Sequence, residues 1–99
     1  MQTEFVVDSS VEIFKRYPIK RAAIFGSYAR EEQTTSSDID FVVELDEGIC
    51  DEYFELYDEL EEFFGVKVDI LTMYSLDRAK PTDKLMNNIK QDLRWIYAR

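Results

Sequence analysis

Gly26-Ser27-Tyr28-Ala29-Arg30, followed after a polar loop by Ser37-Asp38-Ile39-Asp40-Phe41-Val42-Val43, is the stretch on which the reading of this chain turns. From Asp38 the pattern has period two. Ile39, Phe41, Val43 and Leu45 point one way, and Asp38, Asp40, Val42 and Glu44 point the other, as on a half-buried strand. Upstream, Ile19–Phe25 reads as a strand that ends at Gly26–Ser27. A short helical segment over residues 27–31 follows, and residues 33–37 form the polar loop. Strand, turn, short helix, loop and strand therefore bring a Gly-Ser turn and two carboxylates into one region.

Working outward, Ser9 and Glu12 have capping-box spacing, which predicts a helix from Ser9 that stops before Pro18, with Val11, Phe14 and Tyr17 on one side. Residues 49–64 predict an acidic helix, with Ile49, Tyr53, Leu56, Leu60 and Phe63 docking it and Gly65 capping its end. Residues 66–71 predict a third strand, Val68 and Ile70 on one face and Lys67 and Asp69 on the other. Pro81 precedes a last predicted helix over residues 83–98, with a stripe of Met86, Ile89, Leu93 and Ile96. The order is αβαβαβα: an α/β (α+β) chain with a three-stranded mixed sheet and helices mainly on one face, one domain over residues 1–99.

Composition narrows the chemistry. The 99 residues carry a net charge of −9, and residues 46–62 hold nine acids and no base, so the remainder is balanced. Bulk binding to nucleic-acid phosphates needs a basic footprint that is missing here. His is absent and Cys50 is the sole cysteine, so an internal disulfide and a Cys- or His-rich zinc site are excluded. Any metal would be held by oxygen ligands, which favours Mg²⁺, Mn²⁺ or Ca²⁺. No apolar run approaches a membrane span and the polar start does not read as a signal peptide, so a cytoplasmic protein is expected.

Asp38 and Asp40, two apart on a strand, project the same way and repel, a penalty that a shared divalent cation removes. Gly26–Ser27 stands where a strand turns into a helix, a place that favours phosphate: glycine allows close backbone approach and the Ser27 hydroxyl can donate. Either feature alone is ordinary, a solvated strand start or a common turn. Gly-Ser followed after ten residues by Asp-x-Asp is a specific string, expected by chance in roughly one chain of this length in a thousand. Asp69 adds a third carboxylate on a strand, where Asp is otherwise unfavourable. Arg30 either offsets charge on a phosphate chain or pairs on the surface with Glu31 or Glu32.

These segments, together with Val68-Asp69-Ile70-Leu71, resemble the minimal nucleotidyltransferases of the DNA polymerase β superfamily, over nearly the whole chain. The resemblance implies transfer of a nucleoside monophosphate from a triphosphate, ATP as substrate, to a hydroxyl with release of pyrophosphate. It implies that Asp38, Asp40 and Asp69 bind two Mg²⁺ ions, that Asp69 helps deprotonate the acceptor, and that Gly26 and Ser27 hold the terminal phosphates; Arg30 is counted beside them as a nucleotide-binding candidate. In many members a Gly follows the Arg of this motif; here Glu31 does. The resemblance further implies a HEPN-domain toxin as partner, adenylylated on a tyrosine, with this chain as antitoxin in a homo- or hetero-oligomer. Two alternatives stand beside it: an antitoxin-type binding module without catalysis, and a small-molecule nucleotidyltransferase, disfavoured because 99 residues leave no room for a second domain.

Overall fold

Two seven-residue strands, β1 (Ile19–Phe25) and β2 (Ile39–Leu45), pair antiparallel at the centre of a four-stranded sheet. The computed structural model describes residues 1–46 and 52–99. The remaining elements are α1 (Thr3–Phe14), α2 (Gly26–Ala29), α3 (Glu52–Phe64), β3 (Val68–Thr72), α4 (Met73–Asp77), α5 (Lys84–Asp92) and β4 (Arg94–Ala98). The strand order is β3-β2-β1-β4, with β3 parallel to β2 and β4 antiparallel to β1. A parallel neighbour requires a crossover, and α3 lies in the connection from β2 to β3.

Alternation decides what each face of the sheet carries. Ala22 and Ile24 of β1, Ile39, Phe41 and Val43 of β2, and Val68 and Ile70 of β3 pack with Val6, Ile13 and Phe14 of α1 and Leu56, Leu60 and Phe64 of α3. The opposite residues Ala23, Phe25 and Val42 pack with Met73 and Leu76 of α4 and Ile89 of α5. The two longer helices thus cover one face and the two short ones part of the other. A central strand covered on both sides should read as a continuous apolar run, and Ala22-Ala23-Ile24-Phe25 does. Gly65 closes α3 as its spacing predicts, with φ +70° and its N–H donating to Glu61 O at 2.8 Å.

The structure corrects four expectations. The sheet has four strands: the helix predicted over residues 83–98 stops at Asp92, Leu93 is extended, and Arg94–Ala98 pairs with the edge of β1. Trp95, Ile96 and Tyr97 favour a strand, and an unpaired β1 edge was available to them. The first helix starts at Thr3, six residues before Ser9; Thr3, Val6, Ser10, Ile13 and Phe14 form its buried side. Ser10 is wholly buried in mid-helix, so packing overrides the capping signature. On α3 the docking residue is Phe64, whereas Phe63 is 54% exposed; Ile49 lies outside the described residues. The short α4 was not expected, and its cap is Thr72, whose side chain accepts from Ser75 N–H at 3.2 Å.

Candidate functional site

β1 ends and β2 begins at the same end of the sheet, and Phe25 pairs with Asp40 in the ladder. Gly26 therefore follows directly alongside Asp40. Its φ is +73°, and a Cβ there would stand 2.4 Å from Asp40 Oδ2. Conformation and contact both demand glycine, and the contact is with a carboxylate. No side chain caps the first turn of α2 behind it, so its leading amides are left for solvent or an anionic ligand.

Parallel pairing of β2 with β3 sets Asp40 opposite Asp69. Asp40 is partly buried and Asp69 is 43% exposed at its side chain. Burial first, then the charges of Asp69 and Asp38 and a hydrogen bond shared with Asp69, push the Asp40 carboxyl up to about 6. Lys67 opposes this: its Nζ lies 3.8 Å from Asp69 Oδ1 and its charge favours the ionised form of Asp40. Asp38 precedes β2 and acts on Asp40 through its charge.

The structure brings Gly26, Asp40 and Asp69 together and sets Ser27 in the turn beside them. It does not turn Arg30 toward them: the guanidinium donates to Glu32 at 3.3 Å and to Asp92, tying α2 to the end of α5. The turn is also anchored from behind. Thr3 Oγ1, 3% exposed, donates to Tyr28 O at 3.1 Å and accepts from Gln33 Nε2 at 3.0 Å. Sequence reasoning assigned no role to Lys67, although its place two residues before Asp69 on the same polar face was the available signal.

Donor chemistry here suits a hard divalent cation. Among the described residues no three acids are gathered tightly enough to enclose an ion unaided. Mg²⁺ seldom asks for that: it takes one or two carboxylates, keeps water, and shares phosphate oxygens of its substrate. A carboxylate pair in which burial disfavours the charge of Asp40, facing a glycine backbone, fits such an ion. Asp40 and Asp69 would hold it, with Asp38 at its edge.

Residues 7–96 match the model of a family described as nucleotidyltransferase domain. A Methanocaldococcus jannaschii relative named "Putative protein adenylyltransferase MJ1379" is 42% identical over 84 residues, spanning 82% of this chain and 80% of the relative. Among solved structures, one titled "Structure of putative minimal nucleotidyltransferase" superposes with a TM-score of 0.71 at 26% identity, covering 95% of both chains. A chain from the tri-AMPylated Shewanella oneidensis HEPN toxin in complex with MNT antitoxin superposes at 0.67 and 16% identity, covering 98% of this chain and 73% of that one. Among the described residues no helix is long and apolar enough to cross a membrane.

Proposed function

The chain belongs to the nucleotidyltransferase domain family, and from that premise we propose that it transfers AMP from ATP to a tyrosine hydroxyl of a HEPN-domain toxin in the cytoplasm, and so acts as its antitoxin. The observation that carries the reading is the in-register pair Asp40–Asp69 with the Gly26 backbone pressed against Asp40. Relatives named adenylyltransferases and a similar fold in a complex with an AMPylated HEPN toxin support the acceptor. An acidic surface supports a protein acceptor over a nucleic acid.

In this reading Gly26 lets the triphosphate approach the backbone, and the Ser27 hydroxyl donates to one of its oxygens. Asp38, Asp40 and Asp69 would hold two Mg²⁺ ions. Metal bound there would supply charge neutralisation of the triphosphate and a lowered pKa for the acceptor hydroxyl. Asp69, the more open of the pair, accepts the proton of the tyrosine hydroxyl. The phenolic oxygen bonds to the α-phosphorus, the bond from that phosphorus to the bridging oxygen breaks, and pyrophosphate leaves with the electron pair. Arg30 contributes charge at the rim of the nucleotide site once it exchanges its carboxylate partners. Replacing Asp38 and Asp40 together by Asn should lower transfer by at least about a hundredfold, because several kcal/mol of metal stabilisation are removed. Circular dichroism should show the fold intact. Wild-type transfer by that variant would overturn the assignment.

A further inference from the structure

Three side chains of α3 close the free edge of β3. That strand lies at the edge of the sheet, so alternate backbone groups, those of Val68 and Ile70, face away from β2. Glu61 Oε2 accepts from Val68 N–H at 3.1 Å, and Tyr57 Oη accepts from Ile70 N–H at 3.3 Å. Tyr53 Oη donates to Ile70 O at 2.9 Å. Tyr53, Tyr57 and Glu61 are spaced by four residues, so they share one side of the helix and meet the strand in a row. The two amides held in this way flank Asp69.

We propose that Tyr57 and Glu61 are positioning residues that fix Asp69 against Asp40 by holding the outer edge of β3. The inference rests on the reading of Asp69 as a metal ligand. Two carboxylates side by side repel, and β3, five residues long and paired with a strand on one side alone, is the partner free to give way. Packing of Val68 and Ile70 on the core sets the depth of the strand. Its displacement in the plane of the sheet, away from β2, is opposed by the edge bonds. A ligand constellation tolerates errors of only about 0.5 Å, so this restraint bears on metal affinity. It also denies the edge to another strand.

The test measures Mn²⁺ binding by electron paramagnetic resonance, independent of turnover, together with amide hydrogen exchange. The Tyr57→Phe/Glu61→Ala double variant should bind Mn²⁺ about tenfold more weakly, as loss of outer supports to metal ligands does. Its Val68 and Ile70 amides should exchange faster. Glu61→Gln, which keeps an acceptor oxygen, should remain near wild type. Tyr17→Phe, which removes a 2.6 Å bond from Tyr17 to Glu59 of α3, should lower stability and leave Mn²⁺ affinity unchanged. If Asp69→Asn weakens Mn²⁺ binding and the double variant does not, the positioning role falls and the ligand reading stands. If Asp69→Asn itself binds Mn²⁺ normally, both fall. Should the double variant fail to fold, Tyr57→Phe alone carries the same comparison.

Discussion

Among the described residues, Glu31 is the one non-glycine with a left-handed backbone, φ 56°. A side chain in that region costs about 1–2 kcal/mol, offset in part by the extra freedom that glycine loses on folding. Glu31→Gly should therefore raise stability by about 0.5–1 kcal/mol, read as a higher midpoint in urea. Asp40 stores a second cost. Its carboxyl, pushed up to about 6, lies above its ordinary value of 3.8, so the folded state binds the proton more tightly and stability falls as pH rises between those values. That difference corresponds to about 3 kcal/mol; solvent screening at this partly exposed site reduces the expected penalty to about 1 kcal/mol. Without metal, Asp40→Asn should be the more stable protein at pH 7, and the advantage should vanish below about pH 4. Mg²⁺ should stabilise the wild type and not the variant. The closeness of Asp40 and Asp69 was legible because alternation fixes the face of each. Their direct opposition was not, because register between positions 29 residues apart is set by packing and the crossover.

At the scale of elements, β4 is held by more than its ladder. On the outer side of the sheet Glu44 accepts from Arg21 Nε at 2.9 Å, and the Arg21 guanidinium lies 4.2 Å from the centre of the Trp95 ring, joining β2, β1 and β4 in a row. Trp95→Ala should cost about 1–2 kcal/mol in thermal or urea unfolding, through the lost stack and buried ring area. Leu85→Ala on α5, 68% exposed, should change stability by less than about 0.5 kcal/mol. Equal effects would contradict a strand at residues 94–98. The sequence misled here for a physical reason: Met86, Ile89, Leu93 and Ile96 happen to keep helical spacing across a helix end. Leu93 is where the backbone turns extended, and the pull comes from a neighbouring strand edge that no local pattern reveals. The central strands were legible because their apolar runs are bounded by Pro18, Gly26 and a polar loop. The start of α1 was not, because its buried side is completed by Thr3 and Ser10, polar residues chosen for size and contact.

For the whole molecule, the charge belongs largely to residues 46–62, and α3 divides its share by task. Glu59 binds Arg16 and Tyr17, and Glu61 holds β3, while Glu52, Glu55, Asp58 and Glu62 face solvent. The exposed acids are free to steer a basic partner. Changing Glu52, Glu55 and Glu62 to Gln should slow association with the proposed HEPN-domain partner several-fold at low salt and little at high salt, with a rate insensitive to both contradicting steering. The central claim, adenylyl transfer from the Asp40–Asp69 site, is tested most directly by where the label goes. With Mg²⁺ and the HEPN partner, ATP labelled in the α-phosphate should leave its label on a partner tyrosine, and ATP labelled in the γ-phosphate should release it as pyrophosphate. Label from the γ-phosphate on the partner, or tight association with no α-label transferred, would contradict the account.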